Sequence, residues 1–182
     1  RYLICFNGEI VNYKELIEFL LQKNIKMSDK NEVEVILELY LHYGEECLSF
    51  LKGMFAFVIL DKISGKIFAA SDRFGIKPIY YGYINNKKCF YITSNFSSLV
   101  TTNIIAKKLD HVALEQFISF GQIYDSKTLI SNVYDLKNAS LIKLENNNLT
   151  VKKYWFPSFK KNKIKNYNDL INEVVDKLKS TV

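Results

Sequence analysis

The tripeptide Asn7-Gly8-Glu9 carries the groups in this chain best suited to chemistry. It follows the apolar run Tyr2–Phe6, which has strand character, and a helical pattern begins a few residues later. Gly accepts positive φ and Asn hydrogen-bonds locally, so Asn-Gly is a turn former. A turn leaving a buried strand here would aim a side-chain amide and a backbone N–H at one point. Two such donors are what the oxyanion of a tetrahedral intermediate needs. The same residues also build plain turns, and the tripeptide alone leaves both readings open. Glu32, at the expected start of a helix, reads by itself as a first-turn acid favoured by the helix dipole. The three cysteines, Cys5, Cys47 and Cys89, are widely spaced, with no CxxC and no Cys/His cluster, and the only histidines are His42 and His111. That usage fits buried thiols in a reducing cytosol better than a disulfide framework or a zinc site, so no metal site is expected.

The elements that must position these residues follow from periodicity and punctuation. A helix is expected from Tyr13 to Gln22, with Asn12 as N-cap and Glu15 three residues on, as a capping box wants. A second runs from Glu32 to Tyr43, capped by Asn31 and ended by Gly44, and a short one spans Glu45–Leu51. Gly53–Asp61 is an apolar strand too continuous to have one wet face, so it should lie between layers. Ser64-Gly65 turns it into Lys66–Ser71, Asn85-Asn86 leads into a strand at Lys88–Ser94, and Asn146-Asn147-Asn148 joins Leu141–Leu144 to Leu149–Trp155. A helix opens at Asp110, its N-cap, with Leu114, Phe117, Ile118 and Phe120 expected to face inward before Gly121. Together these give antiparallel hairpins with flanking helices, an α+β pattern.

The sequence has 182 residues, enough for one domain with a proper core, and 48% of them are hydrophobic. The longest apolar run, Met54–Leu60, is far too short to span a membrane, and no signal segment opens the chain. The net charge of +6 comes from dispersed lysines, apart from Lys152-Lys153 and the run Lys160–Lys165, which reads as solvated linker. No nucleic-acid module is recognisable, so neither nucleic acid nor membrane is an expected partner.

The segment Phe6-Asn7-Gly8-Glu9-Ile10-Val11-Asn12-Tyr13-Lys14-Glu15-Leu16 resembles the FNGEIYNYKEL segment of the glutamine-hydrolysing asparagine synthetases, which carry a class II glutamine amidotransferase domain. Glu34–Leu37 with Tyr43–Leu48 resembles that family's EVIL…YGEECL, and Asp72–Gly82 its RDRFGIKPLYYG. The likeness continues to Trp155. It departs at Ser71, where the family has Arg, at Ser94–Ser97, which lacks the Ser-Glu-x-Lys charges, and at Leu136–Ala139, which replaces a Pro-Pro-Gly turn. Glucosamine-6-phosphate synthase and phosphoribosylamine-forming amidotransferases share Asn-Gly-Glu, but the stretch from Phe74 to Trp155 favours the asparagine synthetase branch. Within the third segment, Asp72-Arg73 is expected to compensate itself in a buried or semi-buried turn that fixes the sheet.

The resemblance implies a four-layer α/β/β/α sandwich of two antiparallel sheets, of N-terminal nucleophile hydrolase type and incomplete here. It implies an amidotransferase domain over residues 1–155, a linker over 156–166, and, at 167–182, the first helix of an ATP-using synthetase domain. Asn7 and Gly8 would form the oxyanion hole, Glu9 would contact glutamine, and Glu32 would hold its α-amino group. The family has Asp at the position of Glu32, one methylene shorter. In that family the nucleophile is the first residue of the mature chain, a cysteine whose own amine is the base. It would therefore lie upstream of Arg1, and Cys5 is expected to be a small buried thiol. Arg1 in place of Met makes a processed or cut start the expectation. The implied function is hydrolysis of glutamine to supply ammonia for ATP-dependent amidation of a carboxylate, aspartate in true asparagine synthetases and sugar acids in some homologues. ATP and Mg would be held by the synthetase domain, the setting would be cytoplasmic, and the partners would be that domain and a second copy in a homodimer. The contrasting expectation is a degenerate, non-catalytic scaffold of the same fold. The isolated 182 residues are expected to be poorly stable and to lack glutaminase activity; robust cooperative unfolding, or glutamate released from glutamine by this piece alone, would refute that.

Overall fold

A computed structural model describes residues 1–84, 89–159 and 166–181. The expected turn at Asn85-Asn86, the start of the strand expected at Lys88, the lysine-rich stretch 160–165 and Val182 lie outside the described residues. Among the described residues, eight strands form two antiparallel sheets. The larger has the order β1 (Tyr2–Ile10), β2 (Gly53–Asp61), β3 (Ile67–Ser71), β7 (Ser140–Glu145), β8 (Asn148–Lys153). The smaller has the order β5 (Cys89–Thr93), β4 (Tyr80–Ile84), β6 (Val133–Asp135). The helices are α1 (Tyr13–Gln22), α2 (Glu32–Tyr43), α3 (Cys47–Phe50), entered by a 3-10 turn at Gly44–Glu46, α4 (Phe96–Thr101), α5 (His111–Phe120) and α6 (Tyr167–Thr181).

Three buried apolar clusters define the layers. In the first, Phe55, Phe57 and Ile59 of β2, Phe68 of β3 and Leu141 of β7 meet Leu16 and Leu20 of α1, Val35, Ile36 and Leu39 of α2, and Leu48 of α3. The intervening residues of the same strands, Ala56, Ala69 and Ile142, face the smaller sheet and meet Tyr81, Ile79 and Leu136. The outer face of the smaller sheet packs Val133 and Tyr80 on Leu99, Phe96 and Ile105. Strand alternation thus sends successive side chains of β2 into two different cores. That is why this strand carries no polar face, and it bears out the reading of Gly53–Asp61 as a strand between layers. Each fully buried Phe in the first cluster contributes about 2–3 kcal/mol by removal from water. The result is an α/β/β/α sandwich.

Several local expectations are corrected. Asn12 precedes α1, but its side chain makes no cap bond. Instead it bridges the end of α3, donating to Phe50 O at 3.0 Å and accepting from Lys52 N at 2.9 Å. On α5 only Ala113 is buried, while Phe117, Ile118 and Phe120 are 47%, 75% and 64% exposed, because no described element packs outside that helix. The helix α4 was not expected; Asn95 caps it, accepting from Ser98 N at 3.3 Å. Asn146 and Asn147, both at positive φ, make the two-residue turn of the β7–β8 hairpin.

The Asp72-Arg73 pair does not neutralise itself. The fully buried Asp72 carboxylate accepts four backbone N–H groups, from Phe55, Phe74, Ile76 and Lys77, at 2.9–3.2 Å. Arg73 points away, donating to Ser49 O at 3.4 Å. Four charge-assisted bonds satisfy the anion better than one side-chain cation could, and they knit the turn 74–77 to β2. Asp72→Ala should therefore lower stability by roughly 3–5 kcal/mol, since buried donors are left without an acceptor. Arg73→Ala should cost about 1 kcal/mol or less, and denaturant midpoints of the two variants compare them directly. Equal losses would restore the self-compensating pair.

Candidate functional site

Asn7 and Gly8 do not form a turn: β1 continues through them to Ile10, paired with β2 in the register Asn7↔Ala56, Gly8↔Phe55, Glu9↔Met54. Gly8 has φ +142°, and a Cβ there would overlap the Met54 carbonyl oxygen and stand 2.8 Å from Phe55 Cα. The glycine is required by close backbone approach rather than by chain reversal.

The side of β1 that each backbone group faces follows from its neighbours. Phe55, opposite Gly8, turns both backbone groups away from β1: its N–H goes to Asp72 Oδ2 at 3.2 Å and its carbonyl accepts the Asp72 N–H at 2.8 Å. Ile10 directs its N–H outward to Glu32 Oε1 at 2.6 Å, whereas Val11 donates inward to Lys52 O at 2.9 Å. Alternate residues of an antiparallel ladder face alternate sides, so the even positions of β1, Gly8 included, face the open edge of the sheet. The Gly8 N–H is not consumed by the ladder. It stands one two-residue repeat, about 6.5–7 Å, from the Ile10 N–H that anchors Glu32.

The side chains alternate likewise. Tyr2, Ile4, Phe6 and Ile10 pack toward the helices, while Leu3, Cys5, Asn7 and Glu9 are exposed on the opposite face. Cys5 is therefore an exposed thiol, contrary to the buried one expected, because the three-stranded sheet does not cover β1. Cys47 is the buried cysteine, and burial raises its thiol to about 12. Among the described residues the Asn7 amide and the Glu9 carboxylate have no hydrogen-bond or ionic partner. The structure thus brings Gly8 and Glu32 to one edge, and puts Asn7 and Glu9 on the adjoining face.

Glu32 is held in place from its own helix. Asn31 caps α2 by accepting Glu34 N at 2.9 Å. The Glu34 carboxylate reaches back to Ser28 N at 2.7 Å, Asp29 N at 2.8 Å, Lys30 N at 2.8 Å and Ser28 Oγ at 2.9 Å. Desolvation would raise the Glu34 pKa, but these donors outweigh it and leave the group below its ordinary value of 4.5. This anchor was missed in the sequence, although Asn31-x-x-Glu34 is a capping-box spacing that could have pointed to it. The Ile10 N–H was invisible there, since it is a backbone group 22 residues from Glu32.

The glutamine amidotransferase domain family matches residues 1–155 of this chain. The glutamine-hydrolysing asparagine synthetase 1 of Bacillus subtilis is 36% identical over 182 residues, covering all of this chain and 28% of that enzyme. Glutamine-hydrolysing asparagine synthetase 2 of Oryza sativa is 38% identical over 128 residues, 69% of this chain and 19% of the enzyme. The chain thus spans less than a third of the length of these relatives. Among solved structures, glutamine phosphoribosylpyrophosphate amidotransferase from B. subtilis shares the fold at a TM-score of 0.61 and 15% identity, over 86% of this chain and 30% of its own. A glutamine aminotransferase class-II domain protein from Silicibacter pomeroyi aligns at a TM-score of 0.51 and 13% identity, over 85% of this chain and 68% of its own.

Because folding holds the Glu34 pKa down, its contribution is fully present above the ordinary carboxylate value and is lost as pH falls through the lowered one. Hydrogen exchange at the Ser28, Asp29 and Lys30 amides should therefore stay slow near pH 4.5 and accelerate below it. Glu34→Gln should make exchange there fast and nearly pH-insensitive after correction for the intrinsic rate. Unchanged protection in that variant would remove Glu34 as the anchor.

Proposed function

We propose, since this chain belongs to the glutamine amidotransferase domain family, that it is the glutamine-handling part of an asparagine synthetase-like enzyme. The observation that carries this is the open edge of β1, where the Gly8 N–H and the Glu32 carboxylate lie about one strand repeat apart. An extended glutamine has its α-nitrogen and side-chain carbonyl oxygen about 6 Å apart. It can therefore place its ammonium on Glu32 and its carbonyl oxygen at Gly8. The Ile10 N–H holds Glu32 Oε1, which leaves Oε2 for the ammonium. Asn7 supplies the second oxyanion donor from the exposed face, and Glu9 contacts the same substrate.

The nucleophile is a terminal cysteine of the longer chain. Its α-amine takes the thiol proton, and the sulfur adds to the amide carbon. The oxygen becomes an anion that Gly8 N–H and the Asn7 amide stabilise. The C–N bond then breaks, the protonated amine returns its proton, and ammonia leaves. Water hydrolyses the thioester to glutamate. The ammonia passes to a synthetase domain that binds ATP and Mg and amidates a carboxylate, aspartate in this reading, in the cytoplasm. Residues 156–166 connect to that domain and α6 is its first helix, which accounts for the exposure of Leu170, Val174 and Leu178. No residue of this chain is assigned to the nucleotide of that domain.

In the full-length protein, Asn7→Ala should lower glutamine-dependent turnover about 10²–10³-fold, as for removal of one oxyanion donor, with ammonia-dependent amidation intact. Glu32→Gln should raise KM for glutamine by about tenfold through loss of a charge-assisted bond. Cys5→Ala should leave both activities unchanged. Glutamine-dependent turnover that survives Asn7→Ala would overturn the assignment, and a wild type active only with ammonia would make this domain a scaffold.

A further inference from the structure

A cleft of about 490 Å³ lies where the β7–β8 edge of the larger sheet meets α3. In the strand order β1-β2-β3-β7-β8 this is the edge opposite the glutamine site. Its lining includes Arg73, Lys152, Lys153 and Trp155 with the backbone of Ser49. The chain has two arginines, and they are used differently. Arg1 is bidentate to Asp61, at 3.1 and 2.7 Å. Arg73 forms no ion pair among the described residues. Its one side-chain hydrogen bond among those residues is a long one, 3.4 Å to the Ser49 carbonyl, and its buried Nε has no partner. The guanidinium carbon stands 5.8 Å from the centre of the Trp155 ring.

The remaining charges leave this cation unspent. Glu45 is occupied by Lys143 and Lys152, each at 2.7 Å. The Lys153 ammonium, on the rim, lies 5.1 Å from the centre of the Phe156 ring and forms no ion pair among the described residues. Glu46 is the other acid of the lining. A planar guanidinium with a free fork next to an indole recognises a planar group that carries an anion. The fork takes carboxylate or phosphate oxygens, and the aromatic surface takes the ring. The volume lies within the range of small-ligand pockets.

We propose that this cleft binds an aromatic anion of nucleoside-monophosphate size, with its phosphate or carboxylate on Arg73 and Lys153 and its ring against Trp155. The site is separate from the glutamine edge and needs none of its residues. Trp155 is the single tryptophan of this chain, so the fluorescence difference between the full-length protein and its Trp155→Phe variant reports the cleft directly. Adenosine monophosphate should change that signal saturably, and adenosine or inorganic phosphate alone should bind about tenfold more weakly or worse, each lacking one half of the contact. Arg73→Lys, which keeps the charge but loses the planar fork, should weaken binding about tenfold. Lys153→Ala, a rim change with little risk to folding, should weaken it severalfold. Asn7→Ala should leave it unchanged, which separates this site from the glutamine reading. The absence of a saturable signal at millimolar nucleotide, or affinity indifferent to both Arg73→Lys and Lys153→Ala, would overturn the proposal and make the cleft a contact internal to the larger protein.

Discussion

The Asp72 carboxylate is the interaction on which the rest of the structure depends. It is fully buried and satisfied by backbone N–H groups of Phe55, Phe74, Ile76 and Lys77. Its own main chain adds bonds to Phe55 and Ala139. One residue thus ties the start of β2, the turn after β3 and the approach to β7. A buried anion tolerates only a complete set of donors, so this geometry is over-determined. Its consequence reaches the open edge of β1. Both backbone groups of Phe55 are committed to Asp72, so Phe55 has none to offer Gly8 across the ladder, and the Gly8 N–H is left facing outward.

That edge is also shaped by what it lacks. A nine-residue strand with one side unpaired and Leu3 53% exposed is an invitation to further pairing. The reading of a longer chain that covers this face and delivers a nucleophile to it meets that physical need. Two polar anchors keep the edge in register while it is open. Asn12 bridges Phe50 and Lys52 beneath the end of β1, and Glu34 collects the loop that leads into α2. Neither side chain hydrogen-bonds to Asn7, Gly8, Glu9 or Glu32. Both set where Glu32 meets Ile10.

The extra methylene of Glu32, relative to the Asp of the resembling family, is given a use by the Ile10 contact. In the proposed reading the Glu32 carboxylate both accepts a strand N–H and faces a substrate ammonium, and that needs reach. The first of these is met by the Ile10 N–H at 2.6 Å.

The sequence by itself determined the continuous apolar run that makes β2 a strand between two layers, the asparagine turn of the last hairpin, the caps at Asn31 and Asp110, and the motifs that mark the family. Each of these depends on side-chain period or on the φ preferences of single residues, which are local properties. Only the tertiary structure decided the rest. Asn7-Gly8 became strand instead of turn because a neighbouring backbone approaches too closely for any Cβ. Asn12 and Asp72 found partners tens of residues away or in backbone groups, in place of the near neighbours that spacing suggested. Cys5 and the α5 aromatics are exposed because no described element lies over them. Which donor a buried acceptor meets, and which apolar face is covered, are set by the packing of distant segments, and no local pattern encodes that.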